Sequence, residues 1–285
     1  MNKVAIIADS IACLPREMIA QYGIEIVAPN IYFNGRVYRD WLDISPSEAY
    51  QLLEKAPQLF TTSGPPPAAY VQAYRKLSTE AESILCIALS SKMSTTYNAA
   101  VAAKEQVKEE LADTSIEVLD SQTATGAEGF VVLAAARALA EGKSLAEAIE
   151  AAQRMKERVG LVFILETIRH AYRTGRIPKV AAQVGGWLNV KPIVTIRDGV
   201  AHFNGITRNK EKGVNHLLEV VRKKVGKKPV HMTVHHTDAL QEAERLKQRV
   251  LAEFDCIEIW LTEFSPIMGY STGRGTLGLA FYAED

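Results

Sequence analysis

Cysteine and excess charge of either sign are scarce in this 285-residue sequence. The three cysteines, Cys13, Cys86 and Cys256, lie far apart and form no CxxC pair. This sparse, odd set argues against a disulfide framework or a zinc site and favours a reducing compartment. Thirty-three basic residues balance thirty-three acidic ones. A net charge of zero argues against a nucleic-acid-binding protein and against a polybasic membrane anchor.

Long apolar runs are also missing. No 18 consecutive residues are apolar, so the sequence predicts no transmembrane helix and no stable membrane insertion. The apolar stretch at residues 4–8 is too short for the core of a signal peptide, and Asp9 follows it directly. We therefore expect a cytoplasmic protein.

The composition that remains is that of an ordinary globular protein. Hydrophobic residues make up 47% of the chain and charged residues 23%, which is typical of globular domains. The length suggests two domains. Because the pattern of strands and helices changes after Val159, we expect an N-terminal domain at residues 1–159 and a C-terminal domain at residues 160–285.

The first half alternates between strand patterns and helix patterns. Residues 4–8, 83–89 and 116–119 are continuous apolar runs, which are typical of strands buried on both faces. Helical stretches lie between and after them, at residues 15–22, 45–55, 97–111, 128–140 and 145–158. This βα alternation predicts a parallel, Rossmann-like sheet with helices on both faces. Asn34-Gly35 additionally predicts a type I′ hairpin.

The second half mixes hairpins with helices. Asp198-Gly199 predicts the turn of a second hairpin. Helices are expected at residues 210–225 and 239–254, and strands at residues 230–235, 257–262 and 277–282. A glycine-rich loop is expected between the last two strands. This pattern therefore predicts an α+β domain in the second half. Because ligand sites often lie at domain interfaces, we expect a site between the N-terminal and C-terminal domains.

Three patterns resemble functional motifs but lack the context that those motifs need. Residues 269–273 match the GxSxG of serine hydrolases, yet no histidine follows Ser271. We interpret the segment as a glycine-rich turn and keep a serine esterase only as a remote alternative. Residues 273–278 match GxGxxG, but only seven residues remain for a nucleotide-binding unit. His231 and His235 would lie about 13 Å apart along a strand, too far for one zinc ion, so we expect structural roles.

Hydroxyl-rich segments follow several of the predicted strands. They are predicted loops at Asp9-Ser10, residues 61–67, residues 90–96 and residues 120–123, of which the loop at 61–67 precedes a helix. Each alone could simply cap a helix. Together, at the carboxyl ends of parallel strands, they predict a site for an anionic oxygen of a carboxylate or a phosphate. Because none of the histidines falls in these segments, the pattern favours binding over acid–base catalysis.

The chain resembles the DegV family of bacterial fatty-acid-binding proteins. Seven segments carry the resemblance in the family's order: residues 6–15 (I-x-T-D-S-x-A-D-L-P in the family), 62–67 (T-S-Q-P-S-P), 94–100 (S-G-T-Y-Q-S-A), 120–121 (D-S), 174–177 (G-G-R-I), 188–193 (L-L-N-I-K-P-I) and 266–275 (P-x-x-G-x-H-x-G-P-G). Together they span nearly the whole chain.

The resemblance implies a non-catalytic protein without a metal or other cofactor. One long-chain fatty acid, such as palmitate or stearate, would lie in a tunnel between the two domains. The protein would present this lipid to a fatty acid kinase, which makes the acyl phosphate. The family's carboxylate ligands fall on Thr62 and Ser94. Secondary candidates around the head group are Ser63, Thr96, Ser271, Arg176 and Arg274.

Four positions depart from the family's motifs. Gly64 replaces a glutamine, Thr95 a glycine, Ser271 a histidine and Arg274 a proline. Arg274 or Arg176 could supply a cation near the head group in place of the missing histidine. The main alternative from the residues themselves is a phosphotransferase or hydrolase that uses Asp9-Ser10 and Asp120-Ser121 around a phosphate or Mg²⁺.

Overall fold

The computed structural model describes residues 3–176 and 190–284, and these form three sheets. In chain order the elements are β1 (Val4–Asp9), α1 (Arg16–Tyr22), β2 (Glu25–Val27), β3 (Asn30–Phe33), β4 (Arg36–Arg39), α2 (Pro46–Lys55), β5 (Phe60–Ser63), α3 (Pro67–Ser78), β6 (Ser83–Ala88), α4 (Thr96–Val107), β7 (Ser115–Asp120), α5 (Thr125–Ala140), α6 (Leu145–Arg158), β8 (Gly160–Ile164), α7 (Arg169–Arg173), β9 (Lys191–Arg197), β10 (Val200–Thr207), α8 (Lys210–Val225), β11 (Val230–His236), α9 (Leu240–Glu253), β12 (Cys256–Glu263), α10 (Pro266–Thr272) and β13 (Leu277–Ala283). Ile177, Leu188 and Asn189, which belong to two of the family-like segments, lie outside the described residues.

The first sheet is parallel and has the order β2-β1-β6-β7. Successive side chains of a strand point to opposite faces, and here both faces are covered. Ile6 and Ala8 pack with α5 and α6 on one face, whereas Ile7 packs with α3 and α4 on the other. Two-sided burial explains the continuous apolar runs of β1 and β6. The expected parallel α/β architecture with helices on both faces is confirmed.

The second sheet is mixed and has the order β10-β9-β8-β13-β11-β12. Only β11 and β12 pair in parallel; the other neighbours are antiparallel. Helices α8 and α9 cover one face through an apolar cluster that includes Leu217, Val221 and Leu246. The opposite face packs against α5 and the end of the first sheet. The expected α+β character of the second half is confirmed.

A third, three-stranded sheet with the order β4-β3-β5 lies beside the first. The turn between β3 and β4 places Asn34 and Gly35 at φ angles of 48° and 77°, as the type I′ hairpin requires. Strand β5 was expected to be a loop, and that expectation is wrong. Residues 60–63 pair with β3, and Ile31 lies opposite Thr62.

The prediction of a glycine-rich loop near the C-terminus is also wrong in part, because residues 266–272 form helix α10. Ser265 caps this helix by accepting a hydrogen bond from the Met268 N–H, and Pro266 occupies its first position. The ring of Tyr50 lies against Gly269, where a side chain would collide with it. The helix therefore depends on packing against α2 as well as on its cap.

The two large sheets share a continuous apolar cluster. Ile11, Leu89 and Phe130 from the first half pack with Phe163 and Val194 from the second. Arg137 adds a bidentate ion pair to Glu258, with N–O distances of 2.8 and 2.9 Å. The chain passes from one half to the other between α6 and β8. Within the described ranges, no helix is both long and apolar enough to cross a bilayer.

Candidate ligand-binding pocket

A mainly apolar pocket lies where the first and third sheets meet the second. Its empty space is about 750 Å³, including the open mouth. The lining residues are Ile11, Pro29, Thr62, Ser63, Gly64, Leu89, Met93, Ser94, Phe163, Leu165, Ala171, Arg176, Val194, Ile196, Ala201, Ile267, Met268, Ser271 and Thr272.

The end of β5 brings Thr62 to the pocket. Thr62 lies opposite Ile31, which is fully buried, so both side chains are on the inner face of the third sheet. Ser63 alternates to the outer face, where its hydroxyl donates to the Gly64 carbonyl at 2.9 Å and lies 3.4 Å from the Tyr32 hydroxyl. Thr62 makes no hydrogen bond through its side chain to any described residue. Its hydroxyl is therefore available to a ligand, whereas that of Ser63 is engaged.

Ser94 lies in the turn between β6 and α4. Its hydroxyl is 2.8 Å from the hydroxyl of Thr96 and accepts a hydrogen bond from the Thr96 N–H at 3.3 Å. Thr96 is fully buried and does not line the pocket. It thus orients Ser94 and is not placed to contact a ligand itself.

The end of β5 and the Ser94 turn are in direct contact through Gly64. A Cβ atom at Gly64 would lie 2.6 Å from Oγ1 of Thr95 and 3.3 Å from the backbone nitrogen of Thr96. The two departures from the family motif, Gly64 and Thr95, are therefore neighbours in space. A small residue at one position makes room for a larger one at the other, which keeps Thr62 and Ser94 at the same part of the pocket.

The two candidate arginines have different positions. Arg176 lines the pocket and the groove that adjoins it, where Lys92 is also found, and it donates to the Thr174 carbonyl. Arg274 forms ion pairs with Glu54 and Asp238 and does not line the pocket. The structure therefore does not bring Arg274 to the predicted head-group region.

Ser271 lines the pocket from the last turn of α10. A Cβ atom at Gly273 would lie 2.6 Å from Cδ2 of His170, so this histidine packs against the end of α10. Burial and the nearby arginines lower the pKa of His170. The structure gives no hydrogen bond between His170 and Ser271.

Sequence analysis did not identify the apolar lining. Phe163, Val194 and Ala201 come from the inner face of the second sheet, and Met93 and Met268 from loop and helix positions. Methionine side chains adapt to irregular space, which suits a flexible apolar ligand. The sequence predicted β9 only as one strand of the second hairpin, and nothing in that pattern distinguished a pocket from a packed core.

Two buried carboxyl groups hold the backbone around the pocket. Asp9 accepts hydrogen bonds from the N–H groups of Ile11 and Leu89, at 2.9 and 2.8 Å. Asp40 accepts from the Ile267 N–H at 2.9 Å and from the Ser10 hydroxyl at 2.5 Å. Burial raises the pKa of each carboxyl to about 6, although the hydrogen bonds oppose this change. Ile11, Leu89 and Ile267 all line the pocket, so these carboxyl groups shape it without touching a ligand.

Glu128 lies beside this pair in α5. Both of its carboxyl oxygens are buried, and neither has a hydrogen-bond partner. Burial, reinforced by the negative charge of Asp9, raises the pKa of Glu128 well above its usual range. Burial therefore favours the neutral, protonated form of Glu128.

The Asp-Ser pairs of the alternative hypothesis are engaged in the fold. The Asp120 carboxylate accepts from the hydroxyl of Ser91 at 2.5 Å and from the N–H of Gln122 at 2.8 Å. The hydroxyl of Ser121 donates to the Thr123 carbonyl. Ranges 3–176 and 190–284 contain no cluster of three side chains suited to hold a metal ion. Asp9, Ser10 and Asp120 thus organise loops, and the structure offers no observation that favours a phosphotransferase.

The pocket itself has few groups for acid–base chemistry. Among the described lining residues there is no Asp, Glu, His, Lys or Cys, and Arg176 is the one charged side chain. Hydroxyls and a guanidinium can orient an anionic oxygen, while the remaining surface accommodates an apolar chain. The arrangement is suited to bind an amphipathic acid.

The histidines of β11 have structural partners. His231 lies 2.7 Å from Glu258 and from Glu284 and stacks on Tyr282. His235 is fully buried, accepts the N–H of Gly126 at 3.1 Å, and has a pKa lowered by burial to about 3. It is therefore neutral, and the predicted structural role of both residues is confirmed.

Comparison with known protein families and relatives identifies the family of this chain. The model of the DegV family, described as an uncharacterised protein family, matches residues 3–284. The chain belongs to the DegV family. A DegV domain-containing protein of Clostridium perfringens is 31% identical over 282 residues, which are 99% of each chain. Protein DegV of Bacillus subtilis is 28% identical over 280 residues, 98% of each chain.

Solved DegV structures share the fold over their full length. A fatty-acid-binding DegV family protein from Thermus thermophilus has a TM-score of 0.91 and 27% identity, covering 99% of this chain and 100% of that one. DegV of Bacillus subtilis, described as a fatty acid binding protein, has a TM-score of 0.90 and 27% identity, with complete coverage of both chains. A stearic-acid-binding protein from Eubacterium ventriosum has a TM-score of 0.89 and 26% identity, covering 99% and 98%.

Proposed function

We propose that this DegV protein binds one long-chain fatty acid in the apolar pocket and catalyses no reaction on it. The observation that carries the proposal is the pocket's lining: mostly apolar side chains, several hydroxyls, one guanidinium and, among the described residues, no carboxylate or histidine. The fatty-acid-binding relatives of the same fold support it. The ligand would lie between an N-terminal domain at residues 1–159 and a C-terminal domain at residues 160–285.

The affinity would come from the chain and the orientation from the head group. A sixteen-carbon acid has about 14 methylenes, each worth roughly 0.8 kcal/mol when removed from water. The sum of about 11 kcal/mol is the gain before the cost of ordering the ligand and its surroundings is subtracted. The carboxylate still needs hydrogen-bond donors, because burial without them is costly.

Thr62 and Ser94 are the proposed donors to the carboxylate. Both line the pocket, and Gly64 brings their segments into contact. Thr96 supports Ser94, and Ser271 and Arg176 lie on the same lining surface. Ser63 contributes backbone, since its hydroxyl is engaged on the outer face.

Organic extraction of gently purified protein followed by mass spectrometry tests the proposal. We expect about one equivalent of a long-chain acid per chain. Protein that carries no acyl chain and takes up neither palmitate nor stearate when it is added would refute fatty acid binding.

Three single variants test the head-group assignment. Thr62→Val and Ser94→Ala should each weaken binding of palmitate about tenfold or more, since hydrogen bonds to a charged group are worth roughly 1.5–3 kcal/mol. Ser63→Ala is the matched control, and its affinity should stay within about twofold. Equal losses in all three variants would contradict the assignment.

We further propose that the loaded protein presents its lipid to a bacterial fatty acid kinase. Because such a kinase uses ATP, we also propose that the protein is cytoplasmic. A carboxylate oxygen would attack the γ-phosphorus of ATP, forming the acyl phosphate and releasing ADP. Arg176 beside the pocket mouth offers a cation at the point of transfer. Acyl phosphate formation should be measurable with kinase, ATP and loaded protein. Its absence with both the wild type and Ser271→His, each shown to hold lipid, would refute the kinase step.

A further inference from the structure

A second cavity lies on the opposite face of the second sheet, between α8 and strands β8 to β10. Its empty space is about 1200 Å³, including the open mouth, and its polar lining residues are Thr195, Arg197, Asn204, His216, Glu219, Lys223 and Lys224. Val194 and Ile196, the neighbours of Thr195 in β9, line the fatty-acid pocket, and Ile196 also reaches the edge of this second cavity. The alternation of β9 therefore separates the two cavities by the thickness of one sheet.

Two cations, Arg197 and Lys224, line this cavity together with one carboxylate, that of Glu219. Arg197 and Lys224 repel each other, and this repulsion together with burial lowers the pKa of Lys224. The Lys224 ammonium donates to the Val159 carbonyl at 2.6 Å. Neither cation has an ion pair with any residue that the structure describes. By contrast, Lys223 nearby is paired with Glu219 at 2.6 Å.

The polar wall of the cavity is built by a β-bulge. The pairing of β10 with β9 shifts register between Phe203 and Gly205, which leaves Asn204 unpaired. Its side-chain oxygen lies 2.8 Å from Nε2 of His216. A Cβ atom at Gly205 would lie 3.1 Å from the His216 ring, so the absence of a side chain at Gly205 leaves room for the ring. Bulges commonly redirect side chains next to functional sites.

One buried hydroxyl in the same wall lacks a partner. Thr195 is 6% exposed, and its Oγ1 atom makes no hydrogen bond. A buried hydroxyl without a partner is costly, and a ligand or ordered water in the adjoining cavity would satisfy it.

The floor of the cavity is apolar. A Cβ atom at Gly160 would lie 2.5 Å from the ring of Phe281, so the ring covers the strand there. Val220 of α8 lies on the same lining surface. The cavity therefore has two cations without ion pairs, Arg197 and Lys224, at one end and the aromatic ring of Phe281 at its base.

We propose that this cavity is a second ligand site, which takes a small organic phosphate. The dianionic phosphate would lie between Arg197 and Lys224, because an arginine fork and an ammonium suit phosphate oxygens. Asn204, His216 and Thr195 would supply further polar contacts, and the organic part would lie on Phe281. The site does not depend on fatty acid binding at the other face.

Calorimetric titration of the full-length protein with phenyl phosphate tests the site. We expect saturable binding at low salt, with inorganic phosphate weaker and phenol without effect. Arg197→Gln and Lys224→Met should each weaken the binding about tenfold or more. Lys227→Met is the matched control, because Lys227 is an exposed lysine beyond the end of α8 that does not line the cavity, and it should change affinity less than about twofold.

Several outcomes would overturn the proposal. These are no binding of phenyl phosphate up to about 10 mM, undiminished binding in both Arg197→Gln and Lys224→Met, and an equal loss in Lys227→Met, which would show non-specific charge attraction. Circular dichroism and the fatty acid content of each variant establish that it is folded. An intact fatty acid load with no phosphate binding refutes this site alone.

Discussion

The two walls of the apolar pocket are built from different parts of the sheets. On one side, the end of β5 and the turn that follows β6 supply Thr62 and Ser94, and buried carboxyl groups hold the backbone there. On the other, the face of the second sheet supplies Phe163, Val194 and Ala201. Strand ends expose polar backbone and capping hydroxyls, whereas a covered strand face is apolar. An amphipathic cavity arises where the ends of one sheet meet the face of another.

The largest expected effect on ligand affinity comes from placing a large side chain on the apolar wall of the pocket. Ala201 is 5% exposed and lines the pocket, so Ala201→Trp should displace about four methylenes of the ligand and weaken palmitate binding about 100-fold. His202→Trp places the same ring on the opposite face and should leave affinity within a few-fold. Fluorescence titration with a labelled fatty acid measures both. Equal effects would show that the strand face does not form the wall.

The polar wall should make stability depend on pH. The pKa of Asp40 is raised from 3.8 to about 6 by burial. Between these values the folded protein holds a proton that the unfolded chain has lost, so this stabilisation is complete below about pH 4 and is lost as the pH rises through 6. Asp40→Asn should remove up to about 3 kcal/mol of this pH dependence.

Urea unfolding at several values between pH 4 and pH 7 measures that change. Part of the dependence should remain in Asp40→Asn, because the pKa of Asp9 is also raised to about 6. An unchanged slope in the variant would mean that Asp40 does not titrate in this range.

The contact between Gly64 and Thr95 should show coupling within the polar wall. Gly64→Ala forces a Cβ atom against Thr95 and should cost about 1–3 kcal/mol of stability. Adding Thr95→Gly removes the obstructing hydroxyl, so the double variant should regain most of the stability and of the palmitate affinity. Identical values for Gly64→Ala and the double variant would rule out this steric link.

The smallest effect is expected at Arg274, outside both walls. Its ion pairs with Glu54 and Asp238 are largely exposed, and such pairs contribute about 0–1 kcal/mol. Arg274→Gln should leave the palmitate affinity unchanged and lower the melting temperature slightly. A tenfold loss of palmitate affinity would place Arg274 at the head group after all.

The sequence predicted most of the fold because its strands and caps are locally encoded. The apolar runs of β1 and β6, the Asn34-Gly35 turn and the Ser45 cap each have a local signature. Strand β5 and helix α10 were missed for a tertiary reason. Residues 60–63 become a strand by pairing with β3, and α10 is held against Tyr50 of α2.

The sequence pointed to the pocket's hydroxyls but not to the groups that support them. The resemblance of motifs indicated Thr62 and Ser94, and both line the pocket, while their role as ligands stays a prediction. Asp40 belongs to no recognised motif, and its role depends on Ser10 and Ile267, which are distant in sequence. Arg274 lies within the tail motif, but its side chain is held elsewhere by two carboxylates.

The Asp40 contact has a consequence for how the pocket is made during synthesis. Its partner Ile267 is 227 residues away, and Tyr50 donates to the Phe264 carbonyl across 214 residues. Contacts of such separation form late, after local structure. A ribosome-bound chain that lacks α10 has only part of the cavity, although the first sheet can already be formed. Completion of the pocket is thereby tied to completion of the polypeptide, and an unfinished chain lacks the wall that α10 supplies.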